Sequence, residues 1–318
     1  MPERNAQSVF VIPARRIPVP VTISEEAQRF LSSAILRTEK TSWNEASIAA
    51  ANANQEERFS ALPRLFPADI VEHKLTNAVL YRIRSRATNS TCDGAILYVH
   101  GGAYVVGGGR LSATTALPLA AAAGCEVYSI DYRMPPQHPF PAALDDALDA
   151  YRYLLNHFQP AHIVVYGGSA GGGLAAAMIL KARDLGLPLP GAAVLVTPEA
   201  DLTESGDSFE TNQFIDVVLQ QRLTESIALY ANGHNLRDPY LSPIFGDFSL
   251  GFPPTLLISG TRDLFLSNTV ILHRALRRAG VAADLNIFEA MPHGGFHGSP
   301  EDAESMNEQV KFIKKYIR

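Results

Sequence analysis

Short apolar runs punctuate this chain, and helix-length stretches of mixed character separate them. The runs at 95–99 and 191–196 are apolar almost throughout, which predicts strands buried on both faces. Further strands are predicted at 126–131, 162–166, 254–259 and 282–288, and 71–84 reads as strand with a hairpin turn at Thr76-Asn77. Helices are predicted between them, at 112–123, 142–158, 170–185, 266–279 and 302–317. Strands alternating with helices predict βαβ units and an α/β fold. Its sheet is mostly parallel, of about eight strands, with helices on both faces and an antiparallel edge.

Three places depart from this alternation. Residues 1–20 are proline-rich, and Thr22-Ile23-Ser24-Glu25 then has capping-box form, with Thr22 as N-cap of a helix running to about residue 37. Ala27, Phe30, Leu31, Ile35 and Leu36 give that helix an apolar face, and a second helical segment follows at 43–57. Pro118 predicts a kink or break in the 112–123 helix, and the prolines of 135–141 predict a rigid, non-helical excursion. Residues 198–250 are long for a crossover and read as an inserted lid, with a helix near 212–231.

The strand ends carry the candidate chemistry. Val164-Val165-Tyr166 runs into Gly167-Gly168-Ser169-Ala170-Gly171-Gly172, and a helix-forming run follows. A strand that turns sharply into a helix at a serine flanked by glycines has the form of a nucleophile elbow. No Lys-Ser or Lys-Thr follows, so a Walker A loop is excluded, and Gly-x-Gly-x-x-Gly spacing is absent; a plain turn remains the bland reading. His100-Gly101-Gly102-Ala103 follows an earlier strand and exposes backbone N–H groups where an oxyanion could sit. Downstream, Asp263 and His293 each follow a strand, giving Ser, Asp, His in chain order, the order of α/β-hydrolases. Asp263 could instead cap the helix after it, His293 could be an ordinary loop histidine, and His297 competes with it as base.

Composition narrows the classes. Of 318 residues, 47% are hydrophobic and 19% charged, the proportions of a soluble globular protein. A net charge of −5 with no basic stripe argues against nucleic acid. No apolar stretch is long enough for membrane insertion and the N-terminus has no signal-peptide h-region, so a cytoplasmic location is expected. Two cysteines, Cys92 and Cys125, make no disulfide framework and no metal cluster. Buried thiols are the default expectation, with a disulfide left open.

Together the motifs resemble the hormone-sensitive-lipase-like family of bacterial-type α/β-hydrolase carboxylesterases, over about residues 70–317 and more weakly over the N-terminal helices. His100-Gly101-Gly102-Ala103 is similar to the family's His-Gly-Gly-Gly, with alanine third. Gly167-Gly168-Ser169-Ala170-Gly171-Gly172 is similar to Gly-Asp-Ser-Ala-Gly-Gly, with Gly168 where aspartate is usual. Asp131-Tyr132-Arg133 and His138-Pro139-Phe140-Pro141-Ala142 also match. The resemblance implies Ser169 as nucleophile, Asp263 as orienting acid and His293 as base, with His297 as the alternative base. Gly101, Gly102 and Ala170 would form the oxyanion hole. Alanine at 103 fits such a hole if its φ is ordinary.

The resemblance also implies a cap from residues 1–55 and an insertion at 203–235, on a core of 56–202 and 236–318. No cofactor and no metal is implied. Expected is a serine carboxylesterase of short- to medium-chain acyl esters acting through an acyl-enzyme, a small-molecule ester as partner, and a homodimer through the last-strand edge. Lactone or amide hydrolysis by the same triad is one alternative. A non-catalytic small-molecule-binding protein on this fold is another, although such relatives lose a triad member and all three candidates are present here. Glu199 stands where many relatives carry an aromatic or small polar residue. It is expected to partner an arginine, or else to bias the pocket against anionic acids.

Overall fold

The computed structural model describes residues 16–36, 42–87 and 92–317. Eight strands, β1 (Ala68–Lys74), β2 (Val79–Ser85), β3 (Ala95–Val99), β4 (Glu126–Asp131), β5 (Ile163–Gly168), β6 (Ala192–Val196), β7 (Thr255–Gly260) and β8 (Ala283–Phe288), form one sheet in the order β1-β2-β4-β3-β5-β6-β7-β8. β2 pairs antiparallel with β1 and with β4, and every later pairing is parallel. The helices are α1 (Glu25–Ser32), α2 (Glu45–Phe59), α3 (Leu62–Leu65), α4 (Arg110–Ala123), α5 (Ala142–Leu155), α6 (Ala170–Asp184), α7 (Ser208–Thr211), α8 (Thr224–Ala231), α9 (Leu266–Arg278) and α10 (Pro300–Tyr316).

The two-residue period of a strand sends alternate side chains into two cores. Leu97, Val99, Val165, Leu195 and Leu257 pack with Leu144 and Leu148 of α5, Leu174 and Met178 of α6 and Leu272 of α9. Their chain neighbours Ile96, Val164, Val194, Leu256 and Ile258 face the other way, onto Leu117 and Ala120 of α4 and Phe312 and Ile313 of α10. Each fully buried Leu or Ile contributes about 1.5–3 kcal/mol relative to exposure, so the central strands cannot slip register cheaply.

Several local expectations are corrected. The N-cap of α1 is Ser24, not Thr22: its hydroxyl accepts from Ala27 N–H at 3.2 Å and donates to the Glu301 carboxylate at 2.7 Å. A tertiary partner on α10 thus selects the cap. α1 ends at Ser32, leaving Ile35 and Leu36 exposed beyond it, and residue 37 lies outside the described residues. α4 starts at Arg110, before the expected residue 112, and continues through Pro118. The expected helix near 212–231 is instead α7, a compact loop and α8.

Cys92 and Cys125 are joined in a disulfide, not held as free thiols. The parallel register that opposes Ala95 to Glu126 brings the two lead-in segments side by side. Sequence spacing carries no information about that register. Among the described residues, no helix is long and apolar enough to cross a membrane.

Candidate active site

β5 ends against a forced turn. Ser169 sits at φ 55° and ψ −126°, a region that costs a non-glycine residue roughly 1–3 kcal/mol and persists only when its surroundings fix it. They do: Ser169 N–H donates to Val196 O at 2.9 Å, and Ser169 O accepts from Gly172 N–H and Glu199 N–H, both at 2.9 Å. A Cβ on Gly167 would overlap Gly171 O, and one on Gly171 would overlap Val99 O. Both glycines are therefore steric requirements. Gly168 is not, because a Cβ there would meet nothing nearer than Val196 O at 3.8 Å.

Ser169 Oγ lies 2.9 Å from His293 Nε2, and His293 Nδ1 lies 2.9 Å from Asp263 Oδ1. The carboxylate accepts, so Nδ1 carries the hydrogen and Nε2 is left to accept from the serine hydroxyl. Asp263 is fully buried and is fixed by the Ser259 hydroxyl at 2.6 Å and by Phe265 N–H at 2.9 Å. The Phe265 ring meets His293 edge-on at 4.9 Å and sets its plane. Burial works against a charged His293. The hydrogen bond to Asp263 and the charges of Asp263 and Asp216 outweigh it, and the imidazole is held above its ordinary value. His297 is not brought to the serine: it is exposed, and its ring leans on Phe30 with centroids 5.4 Å apart.

The backbone of the β3 loop closes the other side. A Cβ on Gly101 would sit 3.2 Å from Ser169 Cβ, so this loop runs directly against the serine. Ala170 is the first residue of α6, and its N–H has no partner within the helix. Gly102 has φ 123° and its carbonyl accepts from Val105 and Val106 N–H, both at 3.0 Å. The condition set for Ala103, an ordinary φ, is not met: its φ is 52°, a left-handed conformation worth roughly 1–2 kcal/mol against a side chain.

The Asp131-Tyr132-Arg133 signature supports this loop. Asp131 accepts from Gly109 N–H at 2.8 Å, and Tyr132 Oη donates to His100 O at 2.9 Å. Arg133 is locked on buried Asp146 at 2.8 Å.

Two functional candidates have no signal in the sequence. Asn212 and Asp216, in the loop between α7 and α8, are buried against the loops that carry Asp263 and His293. A lone acid in an insertion between core strands has no motif to single it out. Donor atoms of Asp216, Asp263 and His293 lie within 4.8 Å of one another, a grouping that could hold a metal ion. Asp216, however, accepts four backbone N–H groups, and the two nitrogens of His293 face Asp263 and Ser169.

Glu199 does not partner an arginine. It is buried, neither carboxylate oxygen has a hydrogen-bond partner, and burial, then the charge of Glu204, pushes its carboxyl well above the ordinary range.

Residues 96–297 match the family described as the α/β-hydrolase fold. This chain belongs to that family. An acetyl-hydrolase of Streptomyces hygroscopicus is 37% identical over 200 residues, covering 62% of this chain and 67% of the relative. The solved structure of esterase E25 superposes with a TM-score of 0.89 at 32% identity, covering 98% of this chain and 99% of that one. An esterase of the bacterial hormone-sensitive lipase family gives 0.80 at 33% identity, covering 92% of this chain and 98% of that one. The α/β-hydrolase described here is accordingly a carboxylic ester hydrolase of the hormone-sensitive-lipase-like group.

Proposed function

We propose that this α/β-hydrolase cleaves short- to medium-chain acyl esters through an acyl-enzyme on Ser169, with His293 as base and Asp263 as orienting acid. The observation that carries the reading is the unbroken chain from Ser169 Oγ through His293 to Asp263, both links 2.9 Å. Ser169 Oγ attacks the ester carbonyl as His293 Nε2 takes its proton. The oxyanion is met by the N–H groups of Gly101, Gly102 and Ala170. The imidazolium then protonates the leaving alcohol. Water, deprotonated by the same nitrogen, releases the acid and restores the serine. Asp263 holds Nδ1–H throughout, which keeps Nε2 turned to the serine.

A short acyl preference is supported by the acetyl-hydrolase relative. The cap is proposed to consist of residues 1–55 and 203–235. Tyr104 of the β3 loop and Tyr230 of α8 stack at 3.9 Å, which would tie that insertion to the oxyanion loop. A homodimer would form through the outer edge of β8, which ends the sheet. A cytoplasmic location competes with the Cys92–Cys125 disulfide, since such bonds persist chiefly in oxidising compartments.

Fluorophosphonate labelling followed by peptide mapping tests the nucleophile, and Ser169→Ala should abolish both labelling and turnover. Labelling elsewhere, or full activity in the variant, overturns the assignment. p-Nitrophenyl esters of graded acyl length test the substrate range, and a maximum at the long end refutes it.

A further inference from the structure

The loop joining α7 and α8 closes on itself before it touches anything else. Phe214 N–H donates to Gln220 O at 3.0 Å, and Ile215 and Asp216 N–H donate to Asn212 O at 3.0 and 2.9 Å. Asp216 Oδ1 accepts from Val218 and Leu219 N–H at 2.9 and 3.0 Å, which completes a rigid turn around its carboxylate.

The other face of the turn holds both catalytic loops. Asp216 Oδ2 accepts from Leu264 N–H at 2.8 Å, the residue after Asp263, and from His293 N–H itself at 3.1 Å. The Asn212 amide donates to Asp263 O at 2.8 Å and Thr261 O at 3.2 Å. Two side chains of one loop thus make four bonds to the backbones that carry the acid and the base. One oxygen atom of Asp216 bridges those two backbones directly.

We propose that Asp216 and Asn212 are positioning residues for the esterase reaction, a clasp through which the insertion sets the spacing of Asp263 and His293. This rests on the triad reading above. A carboxylate suits the task better than an amide because all four of its partners are N–H donors. An asparagine would turn its NH2 group toward two of them.

The clasp also carries charge. Carboxylate oxygens of Asp263 and Asp216 lie within 4.8 Å of a His293 nitrogen, and both charges favour its protonated form; His297 interacts with His293 by charge alone. Burial pushes the Asp216 carboxyl up to about 6; once it is ionised, protonation of His293 is favoured, and protonated His293 cannot act as base. Loss of that charge lowers the pH at which activity falls away. Loss of hydrogen bonds alone leaves that pH unchanged.

The test compares wild type, Asp216→Asn and Asn212→Ala by kcat, KM and the pH profile of kcat/KM, with folding checked by circular dichroism. In Asp216→Asn we expect kcat to fall by up to about 100-fold with KM little changed. The acidic limb should move down by roughly 1 pH unit. In Asn212→Ala we expect a smaller loss of kcat and an unmoved limb. A folded Asp216→Asn whose kcat and acidic limb both match wild type overturns the proposal. If Asp216→Asn fails to fold, Asn212→Ala decides, and wild-type kcat there overturns it. Wild-type protein that a fluorophosphonate does not label at Ser169 refutes the triad reading instead, so the two failures are distinct.

Discussion

Gly167, Gly168 and Gly171 flank one serine under different constraints. The outer two exclude a Cβ by contact with backbone oxygens, whereas Gly168 has open space and no positive φ. Gly168→Ala should therefore raise stability by about 0.4–1 kcal/mol, through a less flexible unfolded chain, with esterase activity retained. Urea denaturation of the two proteins measures it. Glu199 gives a second expectation. Folding raises its carboxyl above the ordinary value of 4.5, so the folded state binds the proton more tightly than the unfolded state. Stability then declines as pH rises above that ordinary value, until the folded-state carboxyl ionises. Glu199→Gln should remove this decline, leaving melting temperatures similar near pH 4.5 and higher for the variant above pH 7. A steeper decline in the variant would contradict it. Residues at strand ends were legible because each chemistry-bearing side chain follows an apolar run. Asp216 and Asn212 were not, because their partners are backbone groups about 50 to 80 positions away in sequence.

Among the elements, strands were read more closely than helix ends. β4 falls on the expected residues and β6 starts one residue late, since burial on two faces leaves a strand little freedom. Helix ends respond to contacts that sequence does not display. Ser24 caps α1 because Glu301 of α10 holds it, and the Pro118 break fails to occur because α4 is packed along its length. Ser24→Ala should cost about 0.5–2 kcal/mol of local stability at α1. The expected readout is faster amide hydrogen exchange at Ala27 and Gln28, with exchange in β5 unchanged. The insertion was misread as one helix because its central turn is built around the Asp216 carboxylate rather than by periodicity.

At the scale of the whole molecule, one covalent link joins the lead-ins of two neighbouring strands. The disulfide closes a loop with a sequence separation of 33 residues, and constraint of the unfolded chain by such a loop is worth roughly 3–4 kcal/mol. Replacing both cysteines by serine should lower the melting temperature with the hydrolysis rate at 25 °C retained; an unchanged melting temperature would show that the bond adds no stability. The N-terminal segment works at the same scale. Pro18 O accepts from Arg262, next to Asp263, at 2.9 Å, and Ile35 O accepts from Gln220 of the clasp loop at 2.7 Å. Between them, Ile23, Ala27 and Leu31 pack on Met291 and Phe296, on either side of His293. One stretch outside the sheet therefore touches all three loops that meet at the histidine, like a strut across three legs of a tripod. A load applied to that end of the chain, by a fused domain or a tether, is delivered to the alignment of the reacting groups before it reaches the β-sheet.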